Sequence, residues 1–203
     1  MSRDNYIFRE RAGGEPTAPL LFLFHGTGGD EDQFFELGGE LLPGAHLIAP
    51  RGDVSEHGAL RYFRRTGEGR YDMADLAART DRMAAFIRAH AGDHEGARVF
   101  GLGYSNGANI LASVLLGAPD LFDGAVLLHP LIPFTPPPAP GLAGQHILIT
   151  AGRQDPIAPA PATEALAAWL QDQGADLTLA WQPGGHALTP PELAAARDFL
   201  TGA

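Results

Sequence analysis

The segment GYSNG, residues 103–107, places Ser105 between two glycines where an apolar run ends and a second, helical one begins. It matches G-x-S-x-G, a pattern in which glycines permit a sharp strand-to-helix turn that exposes the serine hydroxyl. A hydroxyl presented in this way is suited to attack a carbonyl carbon. The alternative interpretation of Ser105 is an ordinary helix N-cap, because serine is common at that position.

A serine nucleophile needs a histidine to accept its proton and a carboxylate to orient that histidine. Asp155 follows the apolar run ILIT, and His186 follows the run LTLAW, so each is predicted in a loop directly after a strand. The stretch between them has room for one helix and one strand, which brings two neighbouring loops to the same edge of a parallel sheet. Taken singly, Asp155 is also typical of a turn before proline and His186 of a surface loop. His129, which ends another apolar run, is the alternative base.

The segment HGTGG, residues 25–29, follows an early apolar run and could hold a developing negative charge through backbone N–H groups. We expect Thr27 to supply one N–H and Asn106, at a helix N-terminus, to supply another through its backbone rather than its amide. His25 is expected to support this loop. The alternative, a phosphate-binding loop, is disfavoured because the chain has no G-x-x-x-x-G-K-[ST] motif and no lysine.

Short apolar runs alternate along the chain with longer helical patterns, which is typical of a parallel sheet with crossover helices. We predict an α/β fold in a single domain, residues 1–203, with a mostly parallel central sheet and helices on both faces. Strands are predicted at residues 6–8, 20–24, 47–49, 99–102, 125–128, 147–150 and 177–181. Helices are predicted at residues 72–91, 106–116, 161–173 and 190–200.

The composition limits the partners that the chain is expected to bind. A formal net charge of −10 would repel nucleic acid and anionic lipid surfaces. There is no cysteine for a disulfide, a thiolate metal site or a cysteine nucleophile. No apolar run approaches the roughly 20 residues that a membrane span requires, and the N-terminus lacks the apolar core of a signal peptide. We therefore expect a cytoplasmic protein without membrane insertion. No metal is expected either, because no histidine pair is recognised at the i, i+4 helical spacing of zinc ligands.

Two segments interrupt the alternation of strands and helices. Residues 51–70 are rich in arginine and glycine, and residues 129–145 are rich in proline. Loops of this length in a compact domain are usually functional or disordered. A rigid connection and a solvated arginine loop are the alternatives. The side chains predicted to contact substrate are Tyr104, then Leu131, Ile132 and Phe134 on one wall, and Phe63 and Arg64, with Arg65, on a second wall that favours aromatic or anionic groups.

With HGTGG, GYSNG, AGRQDPI and GGH in place, the chain resembles the α/β-hydrolase superfamily and, within it, the phospholipase/carboxylesterase family of small bacterial carboxylesterases and acyl-protein thioesterases. The segments RYFRR and LLHPLIP are similar to a bacterial branch associated with hydroquinone and catechol stress. The resemblance extends from about residue 19 to the C-terminus. It implies a cofactor-free enzyme acting on esters or thioesters, with a minimal cap. Dienelactone hydrolases share this fold but use cysteine, so Ser105 argues against that family.

The resemblance implies Ser105 as nucleophile, Asp155 and His186 as its partners, and Thr27 and Asn106 as oxyanion donors. The sequence thus favours a serine carboxylesterase that hydrolyses small soluble esters through an acyl-enzyme. The alternatives are an acyl-protein thioesterase or lysophospholipase-like activity, and a hydrolase-fold ligand-binding protein with little turnover. The expected partner is a small-molecule ester, and a homodimer is left open.

Overall fold

The computed structural model describes residues 3–67 and 69–202, and its core is a seven-stranded sheet. The strands in the described residues are β1 (Phe8–Arg11), β2 (Leu20–Phe24), β3 (His46–Pro50), β4 (Val54–Glu56), β5 (Ala59–Arg61), β6 (Arg65–Gly67), β7 (Arg70–Tyr71), β8 (Val99–Tyr104), β9 (Gly124–Leu128), β10 (His146–Gly152) and β11 (Asp176–Gln182). The main sheet has the order β1-β3-β2-β8-β9-β10-β11. Its strands run parallel except β1, which pairs antiparallel with β3 at the edge.

Helices cover both faces of the sheet, as the sequence predicts. They are α1 (Phe35–Leu41), α2 (Met73–Gly92), α3 (Asn106–Gly117), α4 (Ala160–Asp172) and α5 (Pro190–Gly202). Residues of α2, α3 and α4 pack in one hydrophobic core, and residues of α1 and α5 in the other. None of these helices is both long and apolar enough to cross a membrane.

Strand β2 shows why the central strands are apolar throughout. Successive strand side chains point to opposite faces, so Phe22 enters the core with α2 and α3 while Leu21 enters the core with α1 and α5. All five residues of β2 are buried. A strand covered on both faces therefore needs a continuous apolar run, which is the pattern that located it in the sequence.

The structure confirms the predicted sheet and its flanking helices, with shifted bounds and additional short elements. Strand β1 begins where its prediction ended, because this edge strand pairs through charged residues that carry no apolar pattern. Helix α1 was not predicted; it has only seven residues, of which two are glycine. The arginine-rich segment 51–70 is not a plain loop, since β4 pairs with β5 and β6 with β7. The proline-rich segment stays irregular apart from a 3-10 turn at Pro140–Leu142.

The strand order places the loops that follow β2 and β8 side by side, at the point where the order along the sheet reverses. In parallel α/β sheets this edge, outside the carboxyl ends of the strands, is where ligands bind. Strands β9, β10 and β11 continue the sheet from β8 in chain order. Consequently Thr27, Ser105, His129, Asp155 and His186 all follow strand ends on one edge.

Helix α2 offers a test of the local structure. The Asp72 side chain accepts a hydrogen bond from the Asp75 backbone N–H at 3.1 Å and caps the first turn. We expect Asp72→Ala to lower the free energy of unfolding by about 1 kcal/mol, the usual cost of losing an N-cap. Asp81→Ala, at an exposed position within the same helix, should change it by less than about 0.5 kcal/mol. Urea denaturation measures both, and equal values would contradict the capping role.

Candidate active site

Ser105 has a backbone conformation that most residues avoid. Its φ is 53° and its ψ is −115°, and its N–H donates to the Leu128 carbonyl at 2.9 Å. Although Ser105 directly precedes α3, its side chain makes no capping hydrogen bond to the helix. The hydroxyl therefore does not act as an N-cap, and the strained turn aims it away from the helix and into a cavity.

Two glycines make this turn possible. A Cβ on Gly107 would lie 2.3 Å from the Phe24 carbonyl oxygen, and a Cβ on Gly103 would lie 2.5 Å from the carbonyl oxygen of Gly107. Both obstructing atoms belong to the backbone, which cannot turn aside as a flexible side chain would. The start of α3 is thus packed directly on the end of β2, and only glycine fits at these two positions.

Ser105, His186 and Asp155 form a chain of hydrogen bonds. His186 Nε2 lies 2.8 Å from Ser105 Oγ, and His186 Nδ1 lies 2.7 Å from Asp155 Oδ2. A carboxylate only accepts hydrogen bonds, so His186 carries its proton on Nδ1 and leaves Nε2 free to accept the serine proton. The hydroxyl, the base and the orienting carboxylate thus stand in the order that proton transfer from Ser105 requires.

Asp155 is almost fully buried but well supplied with hydrogen-bond donors. Its Oδ1 accepts the backbone N–H groups of Ile157 at 2.8 Å and Ala158 at 2.9 Å. Burial acts to raise the pKa of Asp155, but these N–H groups and the histidines on Oδ2 outweigh burial and hold the pKa below its ordinary value. The carboxylate therefore stays ionised at neutral pH.

His129 is a second histidine on the same carboxylate. Its Nδ1 lies 2.8 Å from Asp155 Oδ2 and its Nε2 lies 2.8 Å from Glu192 Oε1, within a fully buried side chain. Because both ring nitrogens face carboxylates, both carry protons and the ring is an imidazolium. Burial acts to lower the pKa of His129, but the bonds to Glu192 and Asp155 prevail and raise it above the ordinary value.

Asp155, His129 and Glu192 form a buried row of hydrogen-bonded charged groups, and Glu192 lies at its far end. Its Oε1 also accepts from Thr150 Oγ1 at 2.7 Å, and its Oε2 accepts the Thr189 N–H at 2.9 Å and Oγ1 at 2.8 Å. Burial acts to raise the pKa of Glu192, yet the bonds to His129 and the threonines keep it below the ordinary value. The sequence analysis treated His129 only as an alternative to His186 and gave Glu192 no role. The one available signal was the capping-box spacing T-x-x-E from Thr189 to Glu192.

Thr27 and Asn106 both line the cavity beside Ser105, and neither backbone N–H takes part in the loop and cap hydrogen bonds of the described chain. The Asn106 amide has a structural contact as well, since its Oδ1 accepts the Tyr62 N–H at 2.8 Å. The Thr27 hydroxyl accepts from Arg61 Nη1 at 2.8 Å. Asn106 thus contributes through its side chain, contrary to the expectation that only its backbone matters.

His25 holds the glycine-rich loop in place. Its Nε2 accepts the Gly52 N–H at 2.8 Å, which puts the proton on Nδ1, 2.7 Å from the Gly26 carbonyl. Burial lowers the pKa of His25, so the ring is neutral as this arrangement requires. The His25 N–H donates to the Tyr62 hydroxyl, which itself donates to the Pro50 carbonyl. Asn106, Tyr62 and His25 therefore tie the start of α3 to the loop after β2.

A cavity of about 680 Å³ opens over Ser105. Among the residues predicted to contact substrate, Tyr104, Leu131 and Arg65 line it. The Tyr104 hydroxyl donates to the His186 carbonyl at 2.9 Å, so this residue presents its ring rather than its hydroxyl to the cavity. The other lining residues in the described chain are Arg61, Gly69, Tyr71, Asn109, His129, Pro133, Pro156, Ile157, Pro159 and Ala162.

Four of the predicted contact residues do not line this cavity. Phe63 is fully buried and Ile132 nearly so, both within the core that contains α2 and α3, and Phe134 packs against the same core. Arg64 points to solvent, where it pairs with Asp72 and Asp75. The three apolar residues thus contribute to core packing, and the arginine contributes to ion pairs with α2 and its N-cap.

Arg61 and Arg65, which flank Phe63 and Arg64 in the sequence, supply the positive charge of the cavity. Both pair with Glu56, which lies 2.9 Å from Arg65 Nε and 3.4 Å from Arg61 Nε. No aspartate or glutamate is among the described residues that line the cavity. Its wall is therefore cationic, in a chain whose net charge is strongly negative.

The sheet, the strained serine turn and the hydrogen-bonded row define an α/β hydrolase. Residues 64–197 match the model of the dienelactone hydrolase family, and the chain belongs to that family. It is 42% identical to the Bacillus subtilis (strain 168) protein MhqD, described as a hydrolase, over 89% of this chain and 91% of that one. Ser105 therefore does not separate the chain from dienelactone hydrolases, and the sequence-based argument against that family is wrong.

Solved structures agree with this assignment. A Bacillus cereus carboxylesterase superposes with a TM-score of 0.93 at 35% identity, covering 99% of this chain and 96% of that one. The protein Atu2452 from Agrobacterium tumefaciens, of unknown function, superposes with a TM-score of 0.92 at 51% identity, covering 100% and 98%. The expected fold and the likeness to carboxylesterases are confirmed, and the protein is a hydrolase of this class.

The charge of His129 can be measured. We expect its ring to lose a proton only above the ordinary pKa of about 6.5, because two carboxylates hold it. A raised pKa in the folded state means that protonated His129 stabilises the protein fully below pH of about 6.5, and that this contribution is lost as the pH rises through the raised value. A histidine NMR titration gives the pKa directly, and denaturation at several pH values gives the loss of stability.

The variant Glu192→Gln should lower the pKa of His129, because it replaces one of the two carboxylates by a neutral amide of similar shape. Glu164→Gln is the matched control, since Glu164 is exposed on α4 and pairs with Arg153 at the surface. A wild-type His129 that titrates at or below the ordinary value, or an equal effect of both variants, would refute the charged row.

Proposed function

We propose that the protein is a serine carboxylesterase that hydrolyses small soluble esters through an acyl-enzyme on Ser105. The observation that carries the proposal is the unbroken hydrogen-bond path from Ser105 Oγ through His186 to Asp155, which opens on the cavity. The carboxylesterase likeness supports the reaction class.

In the first step, Ser105 Oγ attacks the ester carbonyl carbon while His186 Nε2 takes the hydroxyl proton. The carbonyl electron pair moves to oxygen and gives a tetrahedral oxyanion. When the pair returns, the bond to the alcohol oxygen breaks and His186 gives its proton to the leaving alcohol. Water, deprotonated by His186, then attacks the acyl-enzyme, and collapse of the second oxyanion releases the acid and restores the serine.

The oxyanion would be held by the backbone N–H groups of Thr27 and Asn106. Both residues line the cavity beside Ser105, and Asn106 begins α3, so that the positive end of the helix dipole faces the oxyanion. Asn106, Tyr62 and His25 keep the two N–H groups at a fixed separation. A donor set that is already in place needs no reorganisation as the charge develops.

The size and charge of the cavity favour small substrates. A volume of about 680 Å³ lies within the usual range for small-molecule sites of roughly 300–1,000 Å³. No large insertion covers the carboxyl edge of the sheet in the described residues. Tyr104 and Leu131 provide apolar surface, and Arg61 and Arg65 provide positive charge, which suits esters that carry an aromatic or anionic group.

Removal of the nucleophile is the primary test. We expect Ser105→Ala to reduce kcat for 4-nitrophenyl acetate and butyrate by on the order of 10⁴-fold or more. Ser113→Ala is the matched control, because Ser113 lies in α3, which follows Ser105, and its hydroxyl donates to the Asn109 carbonyl. Similar activity of the Ser105 variant and the wild type would refute the proposal.

The same experiment separates the alternative functions. Rapid multiple turnover of esters, with mass spectrometry showing an acyl group on Ser105, would exclude a ligand-binding protein with little turnover. A much higher kcat/KM for an acyl thioester than for the oxygen ester of the same acid would favour the thioesterase alternative. We expect the oxygen ester to be at least as good a substrate.

The cationic wall gives a second test. We expect Arg65→Gln to lower the ratio of kcat/KM for the 4-nitrophenyl monoester of succinic acid to that for 4-nitrophenyl butyrate by about two- to fivefold, a modest effect because Arg65 is partly exposed. Arg64→Gln is the control, since this neighbouring arginine points away from the cavity. An unchanged ratio in the Arg65 variant would remove the preference for anionic esters.

A further inference from the structure

A second cluster of titratable side chains lies apart from the cavity, where the end of α2 meets the edge of the main sheet. It consists of Glu10 on β1, His46 on β3 and His94 just after α2. One donor atom from each lies within 4.8 Å of the other two. None of the three lines the cavity over Ser105. The inference drawn from this cluster does not depend on the proposed function.

The cluster is held by regular structure. Strands β1 and β3 pair antiparallel along their length, with Glu10 opposite Ile48, and His46 lies two residues from Ile48 on the same face of the sheet. His46 is buried, and its Nε2 lies 2.7 Å from Glu10 Oε1. The His94 ring centroid lies 4.3 Å from that of His46. Three elements thus bring two imidazoles and one carboxylate to one point.

The cluster also has free lone pairs. Both side-chain hydrogen bonds of Glu10, from His46 and from Arg3 at 3.2 Å, fall on Oε1. Within the described residues, no hydrogen bond reaches Oε2 or the His94 ring. Arg3 also pairs with Asp93, so it can remain beside the site without Glu10.

We propose that Glu10, His46 and His94 form a binding site for Zn²⁺ or a similar divalent transition metal. Two imidazole nitrogens and a carboxylate oxygen suit zinc, with water in the fourth position, whereas Mg²⁺ and Ca²⁺ prefer oxygen ligands alone. Zinc–ligand distances of about 2.0–2.2 Å place tetrahedral donors roughly 3.4 Å apart. The His46–Glu10 pair, now 2.7 Å apart, would therefore open slightly, within a set of donors that already lie within 4.8 Å of one another.

In forming the site, the metal takes the place of the proton between His46 Nε2 and the Glu10 carboxylate. His46 Nε2, the Glu10 carboxylate and the His94 ring bind Zn²⁺, and His46 keeps one N–H on Nδ1, so a neutral ring changes tautomer whereas a charged ring gives one proton to solvent. The bound ion would join the edge strand β1 to β3 and to the end of α2. Zinc should therefore stabilise the N-terminal part of the fold rather than act on the ester.

The sequence analysis expected no metal because it found no histidine pair at the helical spacing of zinc ligands, and it overlooked His90 and His94. They lie four residues apart, as paired zinc ligands on a helix do. In the structure the two histidines have different roles. His90 packs among Phe8, Phe22 and Phe86 and is not one of the three donors. His94 instead meets ligands from two strands, and these could not be identified from helical spacing.

The test uses the full-length, tag-free protein after treatment with a chelator. Because His129, Asp155 and His186 also bring three donor atoms within 4.8 Å of one another, the titration is run on the wild type and on His186→Ala. Zinc binding is measured by calorimetry, coordination by the visible absorption of Co²⁺, and stability by the change in Tm. The ligand variants His94→Ala and Glu10→Gln, each combined with His186→Ala, are compared with His146→Ala, a control at another histidine–carboxylate pair.

We expect His186→Ala to bind one zinc ion, to give a tetrahedral Co²⁺ spectrum, and to gain Tm with Zn²⁺ but not with Mg²⁺. Adding His94→Ala or Glu10→Gln should weaken binding by at least about tenfold, while adding His146→Ala should not. No zinc binding in His186→Ala, or equal binding after His94→Ala or Glu10→Gln, would overturn the proposal. Because the readouts are binding and stability, the result is independent of whether Ser105 hydrolyses esters.

Discussion

The buried carboxylate of Asp155 imposes the strongest requirement on this fold. An unpaired ion in the protein interior costs several kcal/mol, so every lone pair directed inward must find a donor. Asp155 meets this requirement with two backbone N–H groups on one oxygen and two histidines on the other. The loop after β10 is thereby fixed to the loops after β9 and β11. These bonds join three neighbouring loops on the edge of the sheet that carries Ser105.

A second constraint acts on the other side of Ser105. Gly107 lies so close to the end of β2 that no Cβ can be accommodated, and the Asn106 amide holds Tyr62 against the loop after that strand. One contact is steric and the other is a hydrogen bond, and both join the start of α3 to the loop that contains Thr27. The serine turn and the two candidate oxyanion donors therefore form one rigid unit.

The parts of the site that the sequence could predict are those that follow from the rule of parallel sheets. Ser105, Asp155 and His186 each come directly after an apolar strand, and carboxyl ends of neighbouring strands meet at one edge, so chain order alone brings these residues together. The same rule applies to His129, which follows β9. Its partner Glu192 lies in the first turn of α5, and no strand pattern indicates that this helix begins beneath the site.

Sequence reasoning failed where tertiary packing overrides residue type. In the stretch from Arg61 to Arg65, the aromatic Phe63 was expected at the cavity and instead fills the core. Arg61 is nearly as buried, but its guanidinium reaches Thr27 and the cavity. The short strands of this segment are stabilised by pairing with each other, and neither alternation nor composition shows in advance which face each will present.

The buried row of Asp155, His129 and Glu192 also determines how much negative charge faces His186. A protonated His129 alone would cancel the charge of Asp155 and remove the attraction that the carboxylate exerts on an imidazolium at His186, because hydrogen-bonded charges interact strongly in a buried site. Glu192 adds a second negative charge behind His129, so the buried row of two carboxylates and one imidazolium keeps a net charge of −1. Two threonines and a capping position on α5 hold that charge in place. Helix α5 thus packs on one face of the sheet and also holds the negative charge that faces His186 through His129 and Asp155.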